Sequence, residues 1–395
     1  MNKNILKTGI QNFIDENLNT DTSSVLFKNP DFDGVKASEL AEQLISKKKS
    51  EKKLPTWFNT PKIYYPNKLA IEQTSSEITA AYKASLVNGK SLVDLTGGFG
   101  IDSFYFAKLL KEITYLEINP ELVETVSYNY QVLGVDNIEI IHGDGIEFLK
   151  KTSKKFDWIY LDPSRRNNVK GKVFMLQDCI PNVPGHIDLL FDKTENILIK
   201  TAPLLDISIG IKELRCVKEI HVVAVKNEVK ELLWILNSHS DSKVIKIKAV
   251  NIKNKKRETF EFLFHKEKQA GVTYAAPKKY LYEPNSAIMK TGAFNSIAKY
   301  YKLDKLHLHS HLYTSDNLIS FPGRTFEIIN SFPYQRKLLK SKLKTLKKAN
   351  ISTRNFPESV AQIRKKLNIK DGGDDYLFFT TDYKGVKIGI YCKKY

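Results

Sequence analysis

The chain has 395 residues, 42% of them hydrophobic, and a net charge of +18, which predicts two or three packed domains and excludes a disordered chain. No apolar run reaches the roughly 18–20 residues of a membrane span, and the first twenty residues carry no signal-type apolar region. Cys179, Cys216 and Cys392 fit no zinc or disulfide spacing, so free thiols, a cytoplasmic location and no metal are expected.

In chain order, residues 1–85 read as a helical region, with Ile5, Leu6, Ile10, Phe13, Ile14 and Leu18 at helical spacing. Thr74 and Glu77 have capping-box spacing ahead of a helix through Ala80–Leu86. From Ser91 the period changes. The strands SLVDLT, EITYLEI, NIEIIHGD, FDWIYLD, NILIKTAP and EIHVVAV alternate with helical stretches, the last of them EVKELLWILN. Such alternation predicts a mainly parallel α/β sheet covered on both faces over residues 86–272. KVIKIKAVNIK and ETFEFLFH read as a terminal hairpin. The pattern then restarts in a segment 273–322 and an α+β module 323–395, in which YQRKLLKSKLKTLKK reads as one helix and KLHLHSHLYTS as a strand.

Charge follows these divisions. Residues 1–85 hold 12 basic and 10 acidic side chains, residues 86–215 hold 15 and 18, and residues 216–395 hold 35 and 16. Essentially all the excess positive charge lies in the C-terminal part, as for a protein with a polyanionic partner, nucleic acid first.

Four strands end in candidate site residues. The first leads into DLTGGFG, where Gly97, Gly98 and Gly100 permit a tight turn and close backbone approach to a ligand. Glu117 ends the second strand, 23 residues after Asp94, where an acidic residue can accept bonds from ribose hydroxyls. Asp144 ends the third strand and can accept a bond from an adenine amino group. Asp162 ends the fourth, in LDPSRR. Open α/β sheets bind ligands at these carboxyl ends. Both a dinucleotide and S-adenosylmethionine fit the pattern. Asp94 would sit badly beside a diphosphate and well beside a sulfonium and an amino group, which favours S-adenosylmethionine.

DLTGGFGIDS, LEINP, HGD and LDPSRR resemble the motifs of class I S-adenosylmethionine-dependent methyltransferases. More closely, the chain is similar to a bacterial group with a THUMP-like C-terminal domain, and to guanine-N2 RNA methyltransferases. YPNKLAIEQTSSEITAAYKA resembles the segment before that group's glycine turn. EPNSAIMKTGAF resembles its ferredoxin-like part, and RNFPESVAQIRKKLNIKDGGDDYLFFTT its THUMP-like end. The resemblance implies a Rossmann-like catalytic domain followed by ferredoxin-like and THUMP-like α+β modules. It implies that Gln73 and Ser75 approach the methionine end of the cofactor and that Gly97, Gly98 and Gly100 lie along its methionine and ribose. Glu117 would hold the ribose and Asp144 the adenine. Asp94, Thr96, Phe99, Ile118, Gly145 and Asp162 complete the cofactor set. Asp162 and Pro163 match the first half of the D/N-P-P-aromatic motif of amino-methyltransferases, whose acceptors orient the target amine toward the methyl group. Ser164 and Arg165 replace the second half, so the stacking ring is missing, and Tyr160, Phe99 and Trp158 are the candidates to substitute for it.

Arg165 and Arg166 admit two readings, a phosphate or base-edge clamp or structural partners of nearby carboxylates. His307, His309 and His311 alternate, but three ligands on one flat strand rarely converge on a single ion, so an ordinary strand face is expected. The basic stretches QRKLLKSKLKTLKK and IRKKLNIK are candidates for phosphate contacts. The expected function is methylation of a base nitrogen in structured RNA, tRNA or rRNA. The alternatives are a methyltransferase acting on a protein or small molecule, and a non-catalytic RNA-binding protein.

Overall fold

The computed structural model describes residues 1–27, 32–165, 175–241, 243–254 and 256–395. The chain divides into two compact units, Met1–Lys218 with Glu231–Ser242, and Glu219–Lys230 with Lys243–Tyr395.

The first unit opens with a run of helices: α1 (Thr8–Glu16), α2 (Thr22–Phe27), α3 (Ala37–Lys53), α4 (Pro55–Asn59), α5 (Lys68–Gln73) and α6 (Glu77–Ala84). Side chains set their starts: Asn67 accepts from Ala70 N ahead of α5, and Ser76 from Thr79 N ahead of α6. The expected capping box of Thr74 and Glu77 does not form. Thr74 closes α5 instead, and Glu77 accepts from the backbone N–H and hydroxyl of Thr56 (2.5 and 2.7 Å), fastening α4 to α6.

The sheet of this unit is built from β1 (Ser91–Asp94), β2 (Glu112–Glu117), β3 (Ile138–His142) and β4 (Trp158–Leu161), connected through α7 (Ile101–Ala107), α8 (Pro120–Val132) and α9 (Gly145–Lys151). A two-residue ribbon follows, β5 (Ser164–Arg165) with β6 (Cys179–Ile180), then α10 (Val183–Lys193), β7 (Asn196–Thr201), α11 (Ile207–Glu213), β8 (Val217–Val225) and β9 (Glu228–Asn237). Within this unit the order is β9-β7-β4-β1-β2-β3. The strands run parallel except β9, which is antiparallel to β7. Register aligns the strand ends: Asp94 pairs with Tyr115 and with Tyr160, and Glu117 with His142. The turns after β1, β2, β3 and β4 therefore share one edge of the sheet.

The expected helix EVKELLWILN is thus strand β9. Its residues Glu231–Leu236 are buried without alternation, and a fully covered strand presents a continuous apolar run that helical spacing also fits. Trp234 donates its indole N–H to Thr201 Oγ1 (3.0 Å), fixing β9 against β7.

In the second unit β8, from Glu219 on, is parallel to β10 (Lys246–Lys253), which forms the expected hairpin with β11 (Lys256–Leu263). After α12 (Phe264–Glu267) come β12 (Tyr280–Pro284), α13 (Ser286–Thr291), α14 (Phe294–Tyr301), β13 (Asp304–Lys305), β14 (Tyr313–Ser315), β15 (Gly323–Pro333), α15 (Arg336–Lys342), β16 (Asn350–Arg354), α16 (Val360–Leu367), β17 (Asp375–Thr381) and β18 (Lys387–Lys394). Their strands form one sheet in the order β13-β14-β12-β15-β18-β17-β16. Leu339, Leu343, Ile363, Leu377 and Phe379 make a core beneath α15 and α16. The long helix expected across 334–348 is limited to α15.

Candidate active site

The glycine turn is shaped by conformation and by crowding. Gly98 and Gly100 have φ of +57° and +75°, the left-handed region that a side chain disfavours. At Gly97 the constraint is space, since a Cβ would lie 2.0 Å from Cε2 of Tyr115. The turn is fastened to β2: Gly97 N donates to Leu116 O (2.8 Å), and Tyr115 Oη donates to Gly98 O (2.6 Å).

Glu117 lies directly beside it. One carboxylate oxygen accepts from Gly98 N and the other from Asn119 N, both at 2.8 Å. A carboxylate has about four lone-pair sites, so two stay open on a group already held in place. Ile118 next to it is 67% exposed, an apolar surface beside a polar acceptor. Asp144 uses Oδ1 to cap α9, accepting from Ile146 N and Glu147 N (2.7 and 3.0 Å), while Oδ2 makes no hydrogen bond among the described residues. Gly145 lets α9 approach β1, as a Cβ there would lie 2.7 Å from Leu95 O.

Asp94 is 1% exposed. It accepts from Ser103 Oγ (2.6 Å) and Thr96 N (3.0 Å), joining β1 to α7. Burial pushes its pKa up to about 7; the two hydrogen bonds oppose the rise, and the neighbouring charges of Asp102 and Asp162 add to it.

Asp162 is fixed from its own backbone, whose N–H donates to Thr96 Oγ1 (2.7 Å). Its side chain, 33% exposed, is paired with the ammonium of Lys200 on β7. Burial alone would lower the pKa of Lys200, but Asp162, Asp102 and Glu231 outweigh it and raise the value well above that of an ordinary lysine. Pro163 is buried and Ser164 exposed. The backbone of Ser164 and Arg165 pairs with Ile180 and Cys179, and Arg166 lies outside the described residues.

Phe99, Tyr160 and Trp158 do not supply the missing stacking ring. They are 3%, 1% and 5% exposed and belong to the interior, so Phe99 offers a cofactor only its backbone. Gln73 is exposed at the end of α5. Ser75 is buried and belongs to a charge cluster that sequence reading missed.

At the centre of that cluster is Lys83, fully buried, with Nζ 2.9 Å from both carboxylate oxygens of Glu231, 2.9 Å from Ser75 Oγ and 3.2 Å from Asp102 Oδ1. Asp102 Oδ2 accepts from Ser75 Oγ and Tyr160 Oη (2.8 and 2.7 Å). Burial would raise the pKa of Asp102, but Lys83 and Lys200, with the hydrogen bonds from Tyr160 and Ser75, hold it below the usual range. Burial raises Glu231, against the pull of Lys83 and Lys200. Two signals were available in the sequence. Lys83 follows Thr79 and Ala80 by four and three positions, on the inward face of α6, and Lys200 interrupts the apolar strand NILIKT.

The three histidines do not share a strand. β13 ends at Lys305 and β14 begins at Tyr313. His307 Nδ1 lies 2.9 Å from Asn355 Nδ2. His311, at φ +52°, stacks on Phe294 with ring centroids 3.5 Å apart. Burial, with the charge of Lys305, pushes the pKa of His311 down to about 4. Among the described residues no group of three His, Cys, Asp or Glu could hold a metal ion, and no helix is long and apolar enough to cross a membrane.

A parallel sheet with a glycine turn after its first strand, an acidic residue ending the next and Asp-Pro ending the fourth defines a class I methyltransferase fold. Over 99% of its length the chain is similar to a crystal structure from Porphyromonas gingivalis W83 classed as a methyltransferase, at 32% identity and a TM-score of 0.90, covering 98% of that chain. The chain belongs to the family of that protein, the class I methyltransferases of the THUMP-like group. Residues 280–322 match a ferredoxin-like domain and residues 323–394 a THUMP domain-like model. A stretch of 77 residues is 32% identical to an uncharacterized RNA methyltransferase of Mycoplasma mobile. That match covers 20% of this chain and spans about a fifth of the relative, 21% of its length.

Proposed function

We propose that the protein is an S-adenosylmethionine-dependent methyltransferase acting on a base nitrogen of structured RNA, tRNA or rRNA, in the cytoplasm. Residues 86–272 form its catalytic domain and the basic C-terminal modules grip the RNA. The observation that carries this reading is Glu117, held by two backbone N–H groups beside the glycine turn, with two acceptor sites left open and Ile118 exposed next to it.

The donor set fits the cofactor. Glu117 would accept hydrogen bonds from the two ribose hydroxyls, Ile118 would offer an apolar surface to the adenine, Asp144 Oδ2 would accept one from the adenine amino group, and the side-chain-free turn would let the backbone approach closely. The cofactor, when bound, supplies an electrophilic methyl group on a sulfonium. Asp162, held in place by its pairing with the ammonium of Lys200, accepts an N–H of the target amine and so aligns its lone pair. Positioning and a fixed field account for the rate in such a site. RNA as the partner rests on the charge of residues 216–395, 35 basic against 16 acidic side chains, and on the RNA methyltransferase likeness.

The test is mass spectrometry of nucleosides from total RNA of a deletion strain. A methylnucleoside is expected to disappear and to return with the wild-type gene but not with Asp162→Ala. An unchanged set of RNA modifications would refute the RNA assignment and favour a protein or small-molecule substrate.

A further inference from the structure

Tyr300, at the end of α14, is 71% exposed, yet its ring is braced from two sides. It meets Tyr301 edge-on with centroids 4.9 Å apart and Phe260 of β11 at 5.7 Å. Phe260 in turn lies nearly parallel to Phe262 at 6.2 Å, and Tyr301 meets Phe321 at 5.4 Å. A large ring held out into water by a row of other rings has already lost its rotamer freedom, so a planar group can stack on it with little further ordering cost.

On either side of Tyr300 in the chain stand Lys299 and, two positions on, Lys302, where the loop Gly271–Thr273 and the end of α14 line an open hollow of about 460 Å³. Lys299 and Lys302, both exposed, line it, and neither forms an ion pair among the described residues. Tyr274, 40% exposed, follows directly on the loop. The carboxylates nearby are committed elsewhere. Asp304 is bonded by Thr273 and paired with Lys278 at 2.6 Å. Glu267 accepts from Asn295 N and Ser296 N (2.7 and 2.9 Å) at the other end of α14. The local field is therefore positive, directly next to an exposed aromatic face.

We infer that this surface binds a single-stranded stretch of the RNA, with a base stacked on Tyr300 and its phosphates in the hollow at Lys299 and Lys302. An aromatic face beside uncompensated lysines is the chemistry that holds unpaired nucleotides of any sequence. A base in a duplex has no free face to offer, so the surface discriminates single strands from double strands. This inference rests on RNA being the partner and adds where, and in what form, the RNA is held outside the catalytic pocket.

The experiment is fluorescence anisotropy of the full-length protein with 5′-fluorescein-labelled decauridylate and with a ten-base-pair RNA duplex, across a salt series. Decauridylate is expected to bind more tightly than the duplex. Tyr300→Ala should weaken it about tenfold and Tyr300→Phe by less than about twofold. The double substitution Lys299→Gln with Lys302→Gln should flatten the slope of log K against log salt by about 1.4. Circular dichroism melting shows that each variant is folded. Equal binding of decauridylate by Tyr300→Ala and wild type, or equal binding of duplex and single strand by the wild type, overturns the stacking surface and leaves RNA as the partner. A wild-type protein that binds neither RNA overturns both.

Discussion

Lys83→Met removes a cation that no water reaches and that holds two carboxylates in the interior. In the wild type, Glu231 meets the ammonium through both oxygens at 2.9 Å and Asp102 at 3.2 Å. Removing one member of a buried ion pair costs about 3–5 kcal/mol, because the remaining charge is left uncompensated. Trp57, Trp158 and Trp234, the three tryptophans of the chain, all lie in the first unit, so tryptophan fluorescence in urea reports that unit alone. With a urea slope of about 3 kcal/mol per molar, the midpoint should fall by about 1–1.7 M. Combining Lys83→Met with Glu231→Leu should recover about half of the loss, since the pair is then absent and not broken. The pH dependence follows from Asp102. Its pKa is lowered by folding, so its contribution is present above its unfolded pKa and is lost as the pH falls through the folded value. The variant should lack that contribution. A loss below about 1 kcal/mol, or strict additivity of the two substitutions, would refute the claim that this cluster holds the unit together electrostatically.

Three further outcomes are expected. Gly97→Ala drives a methyl group into the ring of Tyr115; it should cost about 1–3 kcal/mol of stability and weaken binding of S-adenosylhomocysteine by calorimetry, and unchanged values of both would contradict the turn geometry. Asp94 has a folded pKa raised to about 7, so stability should decline as pH rises from about 4 to 7, by roughly 4 kcal/mol at most. Asp94→Asn should remove that slope in urea titrations at several pH values, and an identical pH profile would show that Asp94 does not titrate there. Glu117→Ala should weaken S-adenosylhomocysteine binding by about tenfold or more, as expected for loss of hydrogen bonds to a charged acceptor, and should also lower the urea midpoint, because Gly98 N and Asn119 N lose their acceptor; unaltered affinity would remove Glu117 from the cofactor site.

The carboxyl ends of β1, β2 and β4 were legible because short apolar strands stop abruptly at polar residues, at Asp94, Glu117 and Asp162. Periodicity failed where burial is two-sided: the apolar run of β9 carries no alternation and reads as helix. It failed again at KLHLHSHL, where alternation suggests a strand but the backbone turns, with His311 in the left-handed region. The cluster around Lys83 was hidden for a different reason. Its partners stand 148 positions apart, and a lone lysine in a helix ordinarily faces water. What sequence spacing cannot express is which charges a fold brings together from distant segments.

The path of the chain between the two units has a consequence for how the protein is made. The segment that supplies Glu231 returns to the first unit only after the chain has left it at Lys218. At about 5–20 residues per second of synthesis, the 148 residues between Lys83 and Glu231 correspond to roughly 7–30 s. During that interval the helix carrying Lys83 has emerged without its main counter-charge, and β7 without the strand that covers it. The catalytic sheet therefore cannot close as soon as its own parallel strands exist. Its completion is timed by the arrival of β9, and a nascent chain stalled before residue 231 would present the sheet's apolar edge to chaperones.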